Sequence, residues 1–287
     1  KIIGYSTAAM ATINVIFNYL LIFGKFGFPE MGVGGAALAS VMAEISAFLI
    51  FIFYTLLKLP IKQYALFSFH KLEGWLILTV LKTAFPTMLQ KLLSFGTWYI
   101  FFMLIEHMGE RPIAITIIVR SVYMLILIPV FGYGATANTL TSRLIGEQRQ
   151  AEITPTLRRI MKLAMLSVLP VLLICYIFPQ QVLSIYSNSS DLITASMPSL
   201  YVVGLAALSF CFGITFFEAI SGTGNTTHAL ILESFVLVFY TFQTWLLTTV
   251  VHANVEFVWT VEVTYGMLIG IVSWFYLRYV KWQQKKL

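Results

Sequence analysis

Long apolar runs dominate this 287-residue chain and constrain its fold more than any other feature. Each run is long enough for a membrane helix, because about 20 apolar residues span roughly 30 Å of hydrocarbon. The eight predicted spans are 1–23, 33–56, 76–105, 113–142, 160–186, 192–221, 229–251 and 256–280. Outer-membrane strands would instead show short segments that alternate apolar and polar residues. The prediction is an all-α, polytopic membrane protein.

Lysine and arginine cluster at alternate ends of these spans. Thirteen lie on one side, in residues 56–82, in residues 143–162 or in the C-terminal tail from 278: Lys58, Lys62, Lys71, Lys82, Arg143, Arg149, Arg158, Arg159, Lys162, Arg278, Lys281, Lys285 and Lys286. The opposite loops contain Lys25 and Arg111. Because cytoplasmic loops are enriched in Lys and Arg, both ends of the chain are predicted to lie in the cytoplasm. The predicted location is a bacterial inner membrane. The net charge of +6 therefore indicates orientation rather than nucleic-acid binding.

The first two spans carry polar residues that an apolar helix does not need. Asn14 and Asn18 are four residues apart, which places both amides on one helical face. Two amides on such a face predict an interhelical polar contact or a wet cavity. Glu44 lies about a dozen residues into the second helix, near mid-bilayer depth. All three are candidate ion-coupling residues.

Charged residues inside membrane spans usually face a partner or an aqueous cavity. Those predicted here are Glu44, Lys91, Arg120, Glu218, Glu233 and Glu262. Arg120 and Glu262 lie at similar depth from one side, so a buried ion pair between them is expected. Lys91 and Glu218 lie at similar depth from the other side and form a second candidate pair.

Glu218 and Glu233 are the candidate ion-coupling acids of the later spans. Glu218 lies among small residues, one turn before the glycine-rich turn 221–229, and Glu233 follows that turn. A structural ion pair or an interhelical hydrogen bond remains the alternative for each acid. In the last span, Gly266 and Gly270 form a GxxxG pattern that predicts close helix packing.

No pattern in the chain indicates an enzyme. The four histidines are scattered without metal-ligand spacing, and neither a GxSxG elbow nor an HExxH pair occurs. We therefore expect no catalytic residues, no resident metal and no organic cofactor.

Three segments carry a family resemblance. They are NVIFNYLLIFGKFGFPEMGVGGAALA at 14–39, the stretch 81–149 from LKTAFP to GEQR, and FFEAISGTGNT at 216–226. In order, spacing and topology they resemble helices 5–6, 7–8 and the end of helix 10 of the MATE (multidrug and toxic compound extrusion) transporters.

This resemblance implies a twelve-helix, two-lobe transporter of which the chain supplies helices 5 to 12. Residues 1–57 would end the N-lobe, 58–75 would form a cytoplasmic amphipathic linker, and 76–287 would form the complete C-lobe. The first four helices of the same protein would be missing partners, and the transporter would be monomeric. Asn14 and Asn18 match helix 5 positions that contribute to the family's N-lobe cation site.

The implied activity is efflux of small organic cations or drugs in exchange for H⁺ or Na⁺, by alternating access of the two lobes. Substrate-cavity candidates are Gln90, Ser94, Trp98 and Tyr123. Some bacterial members carry a cavity glutamate about two turns after the proline of helix 7, and counting from Pro86 that position is Ser94 here.

Two alternatives stay open. A flippase or exporter of lipid-linked saccharides from the same superfamily would line its cavity with several Arg or Lys residues for a pyrophosphate. Only Lys91 and Arg120 are predicted to be buried, which favours the cation antiporter. A membrane receptor or scaffold would need no acids at mid-membrane depth.

Overall fold

The computed structural model describes residues 2–61, 63 and 73–279. The described residues form helices and turns, with no strand. Eight of the helical segments within them are long and apolar enough to cross a membrane, as the sequence predicts. The chain divides into two compact units, Lys1–Leu72 and Glu73–Leu287. Most of the expected amphipathic linker at 58–75 lies outside the described residues.

The first unit is a helical hairpin of α1 (Ile2–Ile22) and α2 (Gly32–Lys58). Gly24 and Gly27 have φ values of 60° and 85°, a left-handed conformation that glycine adopts without steric cost. The backbone N–H of Met31 donates to the carbonyl oxygen of Leu21 at 2.8 Å and closes the turn. A side chain at Gly35 would overlap Leu21, so glycine lets the two helices approach closely.

The second unit contains six membrane-length segments. Its helices are α3 (Gly74–Glu106), α4 (Glu110–Gly146), α5 (Ile153–Ile177), α6 (Pro179–Ser184), α7 (Ser190–Gly222), α8 (Thr226–Trp245), α9 (Val255–Val258) and α10 (Thr260–Tyr279). One π-helical turn, Leu246–Val250, extends α8. The turns after α3, α6 and α8 lie at one end of this unit, and those after α4 and α7 lie at the other. We call these the α3–α4 end and the α7–α8 end.

Helix α7 lies at the centre of the second unit and packs against α4, α5, α8 and α10. Its buried face is rich in small residues. Small residues let helices approach closely, which matters in a membrane because the hydrophobic effect does not drive helix association there. Gly266 and Gly270 of α10 face this helix, and a side chain at either would overlap Ser209 or Phe212. The predicted role of the GxxxG pattern in close packing is confirmed.

The predicted bounds of span 5 are wrong. The helix begins at Ile153 instead of 160 and ends at Ile177 instead of 186. Phe178 has φ −124° and ψ 50°, outside the helical region, because the residue before a proline is displaced from it. Pro179 then starts the separate helix α6. Arg158 and Arg159 consequently lie on the first turns of α5 rather than in a loop.

The turn between α4 and α5 holds an exposed network of alternating charges. Arg143 and Arg149 both contact Glu147, at 2.7 and 2.9 Å, and Arg149 also contacts Glu152 at 2.8 Å. Hydrogen bonds first from Arg143 and then from Arg149 hold the pKa of Glu147 below its usual value. Exposed pairs of this kind contribute little to stability, so the network chiefly orders the turn.

Candidate functional site

A cavity of about 320 Å³ lies within the second unit, between α3, α4, α7, α8 and α10. Eight aromatic side chains line it: Phe95, Trp98, Tyr123, Phe131, Phe210, Phe217, Tyr240 and Tyr265. The lining also contains three carboxylates, Glu218, Glu233 and Glu262, and one lysine, Lys91. Aromatic faces and carboxylates both attract organic cations. The cavity therefore has the chemistry of a site for a bulky, positively charged molecule.

Glu218 is the carboxylate of this cavity with a cationic partner. Lys91 Nζ lies 3.3 Å from Glu218 Oε1, which is the ion pair expected from their similar depth. Asn138 Nδ2 donates to Glu218 Oε2 at 3.2 Å. The lysine side chain is 54% exposed and the glutamate side chain 19% exposed, so the pair lies at an open edge. A side chain at Gly134 would overlap Ile214, so this glycine lets α7 bring Glu218 against α4.

Glu233 is buried on α8 and has no cationic partner among the residues that the structure describes. Ser94 Oγ donates to its Oε1 at 2.6 Å, and Tyr265 donates to the same oxygen at 3.0 Å. The other oxygen, Oε2, is buried without a hydrogen-bond partner. Gln90 lies beside this carboxyl group. Its Oε1 is also buried without a partner.

Glu262 is enclosed by tyrosines. Tyr240 donates to its Oε1 at 2.7 Å and Tyr123 donates to its Oε2 at 3.2 Å. Trp259 is fully buried beside them, with its ring 5.8 Å from that of Tyr123. Both carboxylate oxygens are therefore satisfied by neutral donors.

The expected ion pair between Arg120 and Glu262 is wrong, and Arg120 is not buried. The Arg120 guanidinium instead lies 5.5 Å from the ring centre of Trp98 and 5.4 Å from that of Phe102. The depth estimate was not sufficient, because Arg120 leaves α4 on its exposed face. Tyr123, on the buried face of α4, makes the contact with Glu262.

The candidates of the first unit lie on its two helices. Asn18 Nδ2 donates to Asn14 Oδ1 at 2.9 Å, and Asn14 Nδ2 donates to Ser40 Oγ on α2 at 3.3 Å. The shared face and the interhelical polar contact are therefore present. Asn18 Oδ1 is buried without a partner. Glu44 is exposed on α2.

Of the four substrate-cavity candidates, Ser94, Trp98 and Tyr123 line the cavity, whereas Gln90 lies outside the lining, beside Glu233. Sequence reasoning missed Asn138, Tyr240 and Tyr265. The available signal was a polar group within an apolar span: an amide in the last part of span 4 for Asn138, and phenols near the middle of their spans, away from the interfaces where tyrosine is common, for Tyr240 and Tyr265. The described residues contain no group of three or more His, Cys, Asp or Glu side chains placed to hold a metal.

Comparison with solved structures places this architecture among known transporters. An outward-facing multidrug resistance MATE family transporter of the MOP superfamily matches 96% of the chain with a TM-score of 0.82 and 20% identity. A MOP superfamily transporter from Pyrococcus furiosus matches 98% of the chain with a TM-score of 0.81 and 20% identity. The chain covers 61% and 63% of these proteins, respectively. These likenesses show the fold.

Curated relatives agree with the comparison of structures. The probable multidrug resistance protein NorM of Thermotoga maritima is 27% identical over 225 residues, which is 77% of this chain and 47% of that protein. The NorM protein of a Synechocystis species is 28% identical over 186 residues, or 64% of this chain and 40% of that protein. The chain thus spans about half the length of these relatives or less, and both are named as probable multidrug resistance proteins. The MatE family model matches residues 86–246, more than half of the chain. The chain belongs to the MatE family of membrane transporters.

Proposed function

We propose that this chain is the C-terminal part of a two-lobe multidrug efflux transporter, which exports organic cations in exchange for H⁺ or Na⁺. The observation that carries the proposal is the cavity in residues 73–279, where aromatic rings surround three carboxylates. An aromatic ring attracts a cation through its negative face, most strongly where water is excluded. A cationic drug would find both apolar surface and negative charge there.

The domain organisation belongs to the same proposal. Residues 1–57 end the N-lobe, 58–75 link the lobes on the cytoplasmic side, and 76–287 form the C-lobe. The chain covers 47% of its Thermotoga maritima relative, which leaves length for the four preceding helices. The Lys and Arg distribution supports cytoplasmic termini in a bacterial inner membrane. The complete protein acts as a monomer, and alternating access of its lobes carries the substrate across.

A flippase for lipid-linked saccharides is the second candidate. The charge of the cavity argues against this function. A pyrophosphate needs several cationic side chains, since phosphate oxygens are bound by Arg and Lys. The lining contains one lysine, and that lysine is paired with Glu218. Arg120 is not part of the lining. Acids therefore outnumber unpaired cations, which favours a cationic substrate.

The test is transport by the intact protein in proteoliposomes. We expect efflux of a fluorescent organic cation when an H⁺ or Na⁺ gradient is imposed, and the gradient that works identifies the coupling ion. Glu218→Gln should weaken efflux, whereas Glu106→Gln, at the exposed end of α3, should not. A folded protein that transports the cation under neither gradient would contradict the proposal, and flipping of a lipid-linked saccharide by that protein would support the second candidate.

A further inference from the structure

The exposed face of α5 carries cations near its start and apolar side chains farther along. The opposite face is buried and packs toward α4 and α7 through Leu157, Ile160, Ala164, Val168, Leu172 and Cys175. Arg158 and Lys162 are exposed, and the exposed positions 166, 169 and 173 that follow are all leucines. Because residues three or four apart lie on one side of a helix, these five positions form a single line. Together with the neighbouring Arg159, we call them the α5 stripe.

The leucines of the α5 stripe lie where lipid chains cover the protein. Leu166, Leu169 and Leu173 are 65%, 42% and 58% exposed, on a segment long and apolar enough to cross a membrane. Leu173 lies eleven residues after Lys162, or about 16 Å along the helix, which is close to half of a ~30 Å hydrocarbon core. An acyl chain whose headgroup lies beside Lys162 therefore reaches the level of Leu173.

The cations of the α5 stripe have no acidic partner in the part of the chain that the structure describes. The preceding turn, between α4 and α5, contains two arginines and two glutamates that pair with one another. None of the ion pairs among the described residues includes Arg158, Arg159 or Lys162. Three positive charges at one end of a membrane helix therefore lack a counter-charge from these residues.

Glu152 is near enough to attract Arg159, but its charge is already compensated. Arg159 interacts with it electrostatically, without reaching ion-pair distance. Arg149 Nε and Nη2 each donate to one oxygen of Glu152, both at 2.8 Å. A guanidinium that binds both oxygens of a carboxylate makes a strong, charge-assisted pair with it. Arg159 therefore stays available to another anion.

We propose that the α5 stripe binds an anionic phospholipid. Its phosphate contacts Arg158, Arg159 and Lys162, and one acyl chain follows the leucines. The planar guanidinium group matches the geometry of phosphate oxygens, and lysine adds a mobile positive charge. Basic side chains beside the hydrocarbon region attract anionic headgroups. The inference rests on the membrane fold and not on the proposed efflux function.

A second copy of the chain fits this surface poorly. Two copies in one membrane have the same orientation, so a symmetric contact through the α5 stripe would bring the cations of both copies to the same level. Like charges that face one another across an interface weaken association. A free phosphate ion would use the cations and leave the leucines without a role. A phospholipid uses both parts of the stripe.

Lipid titration of the purified intact protein in detergent tests the proposal. Native mass spectrometry counts the lipids bound at increasing concentrations of phosphatidylglycerol, which is anionic, or of phosphatidylcholine with the same chains, which is zwitterionic. We expect the wild type to bind phosphatidylglycerol about tenfold more tightly, because three basic residues attract its headgroup. A higher ammonium acetate concentration should reduce this preference, since salt screens exposed charges.

Substitution of the cations should remove the preference. The triple variant Arg158→Gln/Arg159→Gln/Lys162→Gln should bind the two lipids equally, whereas Arg158→Lys/Arg159→Lys, which keeps the charges, should retain most of the preference. A charge-matched control, which should also retain it, removes three exposed cations elsewhere: Lys82→Gln, Arg111→Gln and Arg143→Gln. All of these side chains are exposed, and the Tm of each variant verifies that it is folded.

A second measurement, on the wild type, locates the lipid. Phosphatidylglycerol with a photoreactive group near the middle of one acyl chain should label the segment 163–173 of α5. Labelling confined to other helices would contradict the proposed position. A crosslink between two copies through α5, with no lipid label there, would replace the lipid with a second copy of the chain.

Three further results would overturn the inference. The wild type could bind both lipids equally, or its preference could survive the triple variant. Displacement of phosphatidylglycerol by an equal concentration of inorganic phosphate would replace the lipid with a free anion. None of these measurements involves transport. A folded protein that shows the lipid preference but no efflux would therefore contradict the proposed function and leave the lipid site in place.

Discussion

Glu218 and Glu262 line the same cavity but are stabilised in different ways. Near the α7–α8 end, Glu218 lies at an open edge against the half-exposed ammonium group of Lys91. Near the α3–α4 end, Glu262 is fully enclosed, and two tyrosine hydroxyls hold it. A lysine neutralises a negative charge, and its flexible side chain lets the ammonium group move away from the carboxylate. Neutral hydroxyls orient the carboxyl group without supplying a counter-charge. The open acid is therefore suited to exchange partners, and the enclosed acid to hold the helices together.

The largest expected effect follows from breaking the enclosed region. Glu262→Leu leaves the hydroxyls of Tyr123 and Tyr240 without their acceptor in a buried site. Because each unsatisfied buried group costs about 1–3 kcal/mol, we expect a loss of about 3 kcal/mol in the free energy of unfolding. Thermal unfolding in detergent should show it as a clearly lower Tm, while Glu106→Leu on the exposed end of α3 should change little. Equal Tm values for the two variants would show that Glu262 is not structural.

The next largest effect is expected from the packing of α4 against α7 beside Glu218. Gly134→Ala places a methyl group against Ile214 and pushes α4 away from α7. We expect destabilisation of about 1–3 kcal/mol, the usual cost of overpacking. Gly132→Ala is the matched control, because a methyl group there meets nothing and alanine favours a helix by about 1 kcal/mol. If both substitutions stabilised the protein equally, close approach at Gly134 would be unimportant.

Removing the lysine should change binding more than stability. Lys91→Gln frees Glu218 for a cationic substrate, whereas the half-exposed pair contributes about 1 kcal/mol or less to stability. We expect the KM for an organic cation to fall several-fold with Tm nearly unchanged, and Lys82→Gln on the same helix to affect neither. An unchanged or higher KM would mean that Lys91 does not compete with the substrate.

The smallest expected effect is a coupling energy near zero between Arg120 and Glu262. Arg120 stacks on Trp98 and Phe102 and does not reach the carboxylate. A double-mutant cycle on the free energy of unfolding with Arg120→Gln and Glu262→Gln should therefore be additive within about 0.5 kcal/mol. The cycle of Tyr240→Phe with Glu262→Gln should instead show clear coupling. Strong coupling through Arg120 would indicate an ion pair absent from this structure.

Sequence patterns predicted the parts of this fold that follow from simple spacing. Hydrophobic length predicted the eight spans, the GxxxG pattern predicted close packing of α10 without naming its partner, and depth predicted the Lys91–Glu218 pair. Depth failed for Arg120, because a span has exposed and buried faces at every level. Span 5 was predicted too late in the chain. Its apolar run continues past Ile177, but in the structure the helix ends at the break before Pro179.

The environment of each acid was not predictable in the same way. Tyr240 of α8 donates to Glu262 of α10, and Tyr265 of α10 donates to Glu233 of α8, so only the packing of these two helices brings the hydroxyls to the acids. The Ser94–Glu233 contact joins residues 139 positions apart. A pattern along one helix gives the face and depth of a side chain but not the partner that meets it.

Equilibrium binding of a lipophilic organic cation, such as tetraphenylphosphonium, to the purified intact protein tests the central claim most directly. The account predicts saturable binding that weakens in Glu218→Gln and in Trp98→Leu, strengthens in Lys91→Gln, and is unchanged in Glu106→Gln. Absence of binding by the folded protein, or affinity that is the same in all four variants, would show that this cavity is not the substrate site.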